Sequence, residues 1–172
     1  MTTIVAVETP QGVTFATDSR VSGSALNDGW VSKVFENKGV VFGVAGYLRV
    51  SQILQHTKMP ELPKSDKPEK IDKWVTQNLA PIFLKASKEV SDLGHRGGSL
   101  ALFAVKGRVY DMDNSGSWTR SSTGVYSIGS GANYALGALE AGASPKKAIK
   151  IAAKYDWGTN SDVKIMKVAH TA

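Results

Sequence analysis

The period of the apolar residues changes along the chain from strand to helix, back to strand, again to helix, and last to a closing strand. Residues 3–9 and 12–18 are β-rich runs joined by Pro10-Gln11-Gly12, a hairpin signal. Val40 to Ala45 forms a third run, expected to pair with Val34-Phe35 across the turn residues Glu36-Asn37-Lys38-Gly39. Val50, Ile53 and Leu54 then recur at helical spacing. After a loop around residues 59–67, Ile71, Trp74, Val75, Asn78 and Leu79 predict a longer helix. Pro81 is expected to kink or interrupt it, because proline lacks an N–H and crowds the preceding turn. Ile82, Phe83, Ala86 and Val90 resume the pattern toward Leu93-Gly94.

The second half restarts with Ser99 to Val105 and Arg108 to Met112, flanking a Lys106-Gly107 hairpin, and with Val125 to Ile128, which ends in Gly129-Ser130-Gly131. A helix is predicted from about Ala132 to Ala141. Ser144-Pro145, an N-cap followed by the favoured first-turn proline, opens another to about Lys154. Val163 to Val168 alternates as a closing strand. Both halves therefore run sheet, then helices. Two sheets packed face to face, with helices over both outer faces, bury such a pattern. The expected fold class is α+β, a four-layer αββα sandwich forming one domain over residues 1–172.

Composition narrows the chemistry. With 42% hydrophobic and 21% charged residues, the 172 residues suit a globular domain with one substantial core. The absence of cysteine excludes disulfides, thiolate metal sites and cysteine nucleophiles. No apolar run approaches membrane-spanning length and the start lacks a basic stretch before an apolar core, so neither an anchor nor a signal peptide is expected, and the location expected is cytoplasmic. A net charge of +6 raises the question of nucleic acid. The lysines answer it poorly: Lys146, Lys147, Lys150 and Lys154 form one helical stripe, and Lys64, Lys67, Lys70 and Lys73 are mixed with Asp66, Glu69 and Asp72. Solvated helix faces explain both. Arg96-Gly97-Gly98 occurs once and reads as a turn rather than an RNA-binding array.

The chain begins Met1-Thr2-Thr3 and runs straight into Ile4-Val5-Ala6-Val7. Loss of one residue, which a small second residue permits, would make threonine the first residue at the mouth of a strand. A terminal threonine carries its own base: its hydroxyl is the nucleophile, and its α-amino group, titrating near neutrality, takes the proton directly or through water. Such a nucleophile needs a nearby cation, a carboxylate to hold that cation and a backbone N–H aimed at the developing oxyanion. Asp18 ends the second strand, Lys33 precedes Val34-Phe35, and Gly46 ends the third strand. Each alone has a plainer reading, as a turn cap, a snorkelling lysine and a helix-start glycine.

In this order the motifs resemble the proteasome β-subunit and HslV peptidase family of N-terminal nucleophile hydrolases, over nearly the whole chain. Thr2-Thr3-Ile4-Val5 looks like the family's mature start, Asp18-Ser19-Arg20 like its aspartate motif and Ser32-Lys33-Val34 like its lysine motif. Val44-Ala45-Gly46 looks like its oxyanion glycine, Gly129-Ser130-Gly131 like its GSG, and Asp156 with Thr159 like its late Asp and Ser/Thr. The short length, the single Met in place of a propeptide and Tyr155-Asp156-Trp157-Gly158-Thr159-Asn160 bring it closer to the HslV type.

The resemblance implies the four-layer fold and a threonine-type endopeptidase with Thr2 as nucleophile, Lys33 held by Asp18, and Gly46 as oxyanion donor. Ser130, Asp156 and Thr159 would support the amine and the proton relay. It further implies a homo-oligomeric ring, an ATP-dependent unfoldase as partner and peptide or unfolded protein as substrate. No cofactor is required for cleavage; a monovalent cation at backbone carbonyls near Asp156 to Thr159 is a further expectation. The chain departs from the family where Ser32 and Tyr47 stand. Tyr47 and Arg49 would either narrow a pocket whose walls include Val21, Val31 and Val44 or mark a family member that no longer cleaves. Two other readings keep the fold: a structural or assembly protein that retains Met1, and an amide hydrolase acting on small molecules.

Overall fold

The computed structural model describes residues 2–21, 29–94 and 98–169; Met1 and the Arg96-Gly97 pair of the expected turn lie outside them. Strands β1 (Thr3–Thr9) and β2 (Gly12–Asp18) form the expected hairpin, with Thr9 opposite Gly12 across Pro10-Gln11. The short pair β3 (Arg20–Val21) and β4 (Gly29–Trp30) follows, then β5 (Val34–Asn37) and β6 (Val40–Ala45). Helix α1 (Leu48–His56) precedes α2 (Pro68–Trp74) and α3 (Ala80–Asp92). Strands β7 (Leu100–Val105), β8 (Arg108–Met112), β9 (Trp118–Thr119) and β10 (Val125–Gly129) come next. Helices α4 (Ala132–Glu140) and α5 (Pro145–Tyr155) and strand β11 (Val163–Ala169) complete the order.

The β5–β6 and β7–β8 turns are built alike. Lys38-Gly39 and Lys106-Gly107 both take φ of 49° and 77°, positive at both central residues, as the twist of a two-residue hairpin demands. Pro81 changes the helical ladder without ending the helix. A π-helical turn over Val75–Leu79 joins α2 to α3, so the Ala80 N–H reaches back five residues to the Val75 carbonyl. Pro81 then falls in the first turn of α3, where a missing N–H costs little. The Ser144 cap forms as expected, its hydroxyl accepting from the Lys147 N–H.

One antiparallel sheet has the order β10-β1-β2-β11 and the other β5-β6-β7-β8-β9. Alternation along the central strands divides the core into three layers. Ile4, Ala6, Phe15, Val41, Leu102 and Ile128 pack between the sheets. Phe42, Phe103 and Tyr110 point the other way, against Leu54, Val75 and Phe83 of the first helical layer. Val5 and Ala16 face Ala135, Ile149 and Ala152 of α4 and α5. Central strands buried on both faces read as unbroken apolar runs, which is why β6 and β7 are uniformly hydrophobic. The layering is αββα. Among the described residues no helix is long and apolar enough to cross a membrane.

Candidate functional site

Thr2 lies at the entrance to β1 and is 8% exposed. Its carbonyl accepts from the Ser130 N–H at 2.8 Å, and the Thr3 N–H donates to Asp18 Oδ1 at 3.0 Å. The peptide between residues 2 and 3 is thus held at both polar ends. Glycines at the end of β10 make the approach possible. Gly129 has φ +100°, and a Cβ there would sit 1.9 Å from the Thr2 carbonyl oxygen. One at Gly131 would sit 2.2 Å from Thr3 Oγ1. No side chain fits at either position.

Asp18, at the end of β2, and Lys33, just before β5, meet beneath this peptide. Lys33 Nζ donates to Asp18 Oδ1 at 2.8 Å, the same oxygen that accepts from Thr3. Asp18 is fully buried and Lys33 is 4% exposed. The other carboxylate oxygen accepts from the Arg20 N–H at 3.0 Å. Burial lowers the Lys33 pKa below the ordinary lysine value, although the Asp18 hydrogen bond and charge, and the charge of Asp156, work against the shift.

Asp156 follows α5 and gathers three donors. Ser130 Oγ donates to its Oδ2 at 2.7 Å, Thr159 Oγ1 donates to the same oxygen, and the Gly158 N–H reaches Oδ1 at 3.4 Å. Burial by itself would raise the Asp156 pKa; the Thr159, Ser130 and Gly158 hydrogen bonds outweigh it and hold the carboxyl below its ordinary value. Thr159 Oγ1 also meets Thr3 Oγ1 at 2.6 Å.

Above these groups opens a cleft of about 410 Å³ lined by Thr2, Ala45, Gly46, Tyr47, Gly98, Leu100, Gly129 and Ser130. Gly46 has φ +131°, and a Cβ on it would lie 2.7 Å from Ser99 Oγ and 3.0 Å from Ser99 Cα. The structure therefore gathers all seven residues singled out in the sequence. Thr2, Gly46 and Ser130 share the cleft. Asp18 and Lys33 reach Thr2 through the Thr3 amide, and Asp156 and Thr159 through Ser130 and Thr3.

No protein-family model matches the sequence, and no curated protein matches it. Solved structures match its shape over nearly its full length. HslV from Trypanosoma brucei superposes with a TM-score of 0.69 at 21% identity, over 98% of this chain and 99% of that one. BPH of Thiobacillus denitrificans, in a complex with epoxomicin, gives 0.74 at 16% identity, over 99% and 100%. Anbu, an ancestral β-subunit, from Yersinia bercovieri gives 0.68 at 16%, over 97% and 81%. The chain has the proteasome-subunit fold.

On the proteasome-subunit fold some expected pocket residues take other places. Val44 packs in the core between β6 and the first helical layer, and neither Val21 nor Val31 is among the described residues of the cleft wall. Tyr47 does line the cleft. Arg49 does not: it points away to Glu89 on α3, 2.8 Å off, with both side chains largely in solvent. Arg49 stands two residues, about half a helical turn, beyond Tyr47, so the two side chains leave in opposite directions.

Four further polar residues join the site. Thr3 is fully buried yet reads in the sequence as an ordinary strand former. Ser19 donates its N–H to Asn160 Oδ1 at 3.2 Å and its hydroxyl to Asp162 Oδ2 at 2.7 Å, tying the end of β2 to the loop after Asp156. No local signal reveals that pairing, because its members are more than 140 residues apart in sequence. In the same loop, the Asp156 carbonyl accepts from the Thr159 N–H at 3.0 Å and the Trp157 carbonyl from Arg20 Nη1 at 2.8 Å. A monovalent cation at this loop would have to share these oxygens with protein donors. Among the described residues no group of three or more His, Cys, Asp or Glu is placed to hold a metal ion.

Proposed function

We propose that the chain is a threonine-type endopeptidase whose nucleophile is Thr2, exposed by removal of Met1. One observation carries this reading: Thr2 shares a cleft with Gly46 and Ser130, while the amide that follows it rests on the carboxylate oxygen that holds Lys33. Thr2 Oγ1 attacks the peptide carbonyl carbon as its proton passes to the α-amine, directly or through water. The Gly46 N–H faces the carbonyl oxygen as it becomes an oxyanion. Collapse breaks the C–N bond, and the departing amine takes the proton from the α-ammonium. The acyl group is left as an ester on Thr2. Water then attacks the ester, the amine accepts its proton, and the acid product leaves with Thr2 restored.

Lys33 sets the electrostatics of the nucleophile, and its lowered pKa eases proton exchange with the groups around it. Ser130, Asp156 and Thr159 place hydroxyls and a carboxylate beside the amine. The cleft wall is mostly small or apolar and includes no charged residue among those described, which suits an uncharged side chain of a peptide or unfolded protein before the cut. The proteasome-subunit fold supports a homo-oligomeric ring, and the motif resemblance suggests an ATP-dependent unfoldase as its partner. Turnover of apolar peptides by protein purified without Met1, abolished by Thr2→Ala, tests the activity; undiminished turnover in Thr2→Ala excludes Thr2 as nucleophile.

A further inference from the structure

Thr3 has no task in the reaction above, although it is fully buried and polar. Its side chain lies on the helix-facing side of β1, the side of Val5, where an apolar residue would be accommodated without a hydrogen-bond partner. Instead its hydroxyl sits 2.6 Å from Thr159 Oγ1. Donor and acceptor follow by elimination. The Asp156 carboxylate only accepts, and the Thr159 hydroxyl gives its single proton to it. Thr159 is left with lone pairs, so Thr3 is the donor between the two threonines. Ser130 is committed in the same direction, since its hydroxyl is 2.7 Å from Asp156 Oδ2 and 3.5 Å from the Thr2 carbonyl.

The backbone of Thr3 faces the other network. Its N–H donates to Asp18 Oδ1, where Lys33 also binds. One residue therefore touches both carboxylate systems, by its amide on one side and its hydroxyl on the other. We propose that Thr3 is a positioning residue that ties the Asp18–Lys33 pair to the Asp156–Thr159–Ser130 group and thereby fixes Thr2 between them. This rests on the reading of Thr2 as nucleophile. Loss of the Thr3 hydroxyl leaves the amide on Asp18 but removes the donor to Thr159. The substrate-binding wall is untouched, because Thr3 does not line the cleft.

The test uses the full chain beginning at Thr2, with Thr3→Val, which keeps the shape and deletes the hydroxyl, and Thr3→Ser, which keeps the hydroxyl. With a fluorogenic apolar peptide, Thr3→Val lowers kcat about tenfold, the effect of one buried hydrogen bond, while KM stays within about twofold. Thr3→Ser restores most of kcat. Wild-type kcat in Thr3→Val overturns the proposal, as does equal impairment of Thr3→Ser, which would make the methyl group responsible. If the unsubstituted protein cleaves nothing, the peptidase reading fails by itself. The tie is then judged by amide hydrogen exchange at Thr3 and Ser130: about tenfold faster exchange in Thr3→Val than in the other two supports it, and equal exchange in all three overturns it.

Discussion

Lys33 Nζ lies 2.8 Å from Asp18 Oδ1, with the lysine side chain 5% exposed and the aspartate fully buried. Removing two charges from water offsets most of their attraction, so a pair so deeply buried contributes more to geometry than to net stability. Here it joins the end of β2 to the segment entering β5, one strand from each sheet, directly under the Thr2–Thr3 peptide. Burial also lowers the Lys33 pKa despite its partner, which brings the ammonium closer to proton exchange than a surface lysine.

Lys33→Arg separates charge from proton exchange. A guanidinium stays charged but does not release its proton. Peptide turnover is expected to fall by about 100-fold or more in Lys33→Arg and in Lys33→Ala alike. Lys33→Ala also leaves Asp18 buried without its cation, at about 3–5 kcal/mol in urea unfolding. Near-normal turnover by Lys33→Arg would mean that positive charge alone is enough.

Gly46→Ala places a methyl group against Ser99 at a φ that L side chains rarely adopt. The expected cost is about 1–3 kcal/mol of stability. The shifted amide is expected to slow turnover by about 100-fold, as for a lost oxyanion donor. Gly129→Ala meets backbone rather than side chain and should be the more damaging of the two. Melting temperatures and turnover of both variants check the order.

The Asp156 carboxyl has a lower pKa in the folded protein than its ordinary value. Between the folded value and the unfolded one, about 3.9, the unfolded chain binds more protons. The stability that Asp156 contributes is therefore fully present above the unfolded pKa and is lost as pH falls through the folded pKa. Asp156→Asn lacks this titration, so the gap in unfolding free energy between wild type and variant should narrow from about pH 6 to about pH 3. Urea titrations across that range measure it, and a constant gap would contradict the ionised, hydrogen-bonded state.

Much of this was legible in the sequence. Apolar periodicity located the long strands and helices because sheets and helices buried on different faces leave different repeats, and Gly129-Ser130-Gly131 marked the end of a strand before a helix, though not the close backbone approach its glycines permit. β3, β4 and β9 escaped because two-residue strands carry no period. The π turn escaped because it alters hydrogen bonding without altering the apolar stripe. Val44 was expected in the pocket wall, but strand alternation turns it to the helix-facing side of β6, opposite Ala45, which does line the cleft. Thr3, Ser19 and Asn160 gained their roles from contacts across the length of the chain, which local pattern does not record.

Arg49 and Tyr47 divide along the same line. Arg49 pairs with Glu89 in solvent, where an ion pair is worth roughly 0–1 kcal/mol, so Arg49→Ala should leave both stability and cleavage preference near wild type. Tyr47 lines the cleft, and Tyr47→Ala should broaden the residues accepted before the cut. Cleavage-site profiling of a mixed peptide pool compares the two; a changed profile in Arg49→Ala would place that side chain in the pocket after all.

Intact mass before and after reaction with a peptide bearing an electrophilic C-terminus tests the assignment of Thr2 most directly. A nucleophilic Thr2 predicts a purified chain lacking Met1 that gains one adduct, mapped to Thr2 by digestion and absent in Thr2→Ala. A chain that retains Met1, or an adduct that persists in Thr2→Ala, would contradict it.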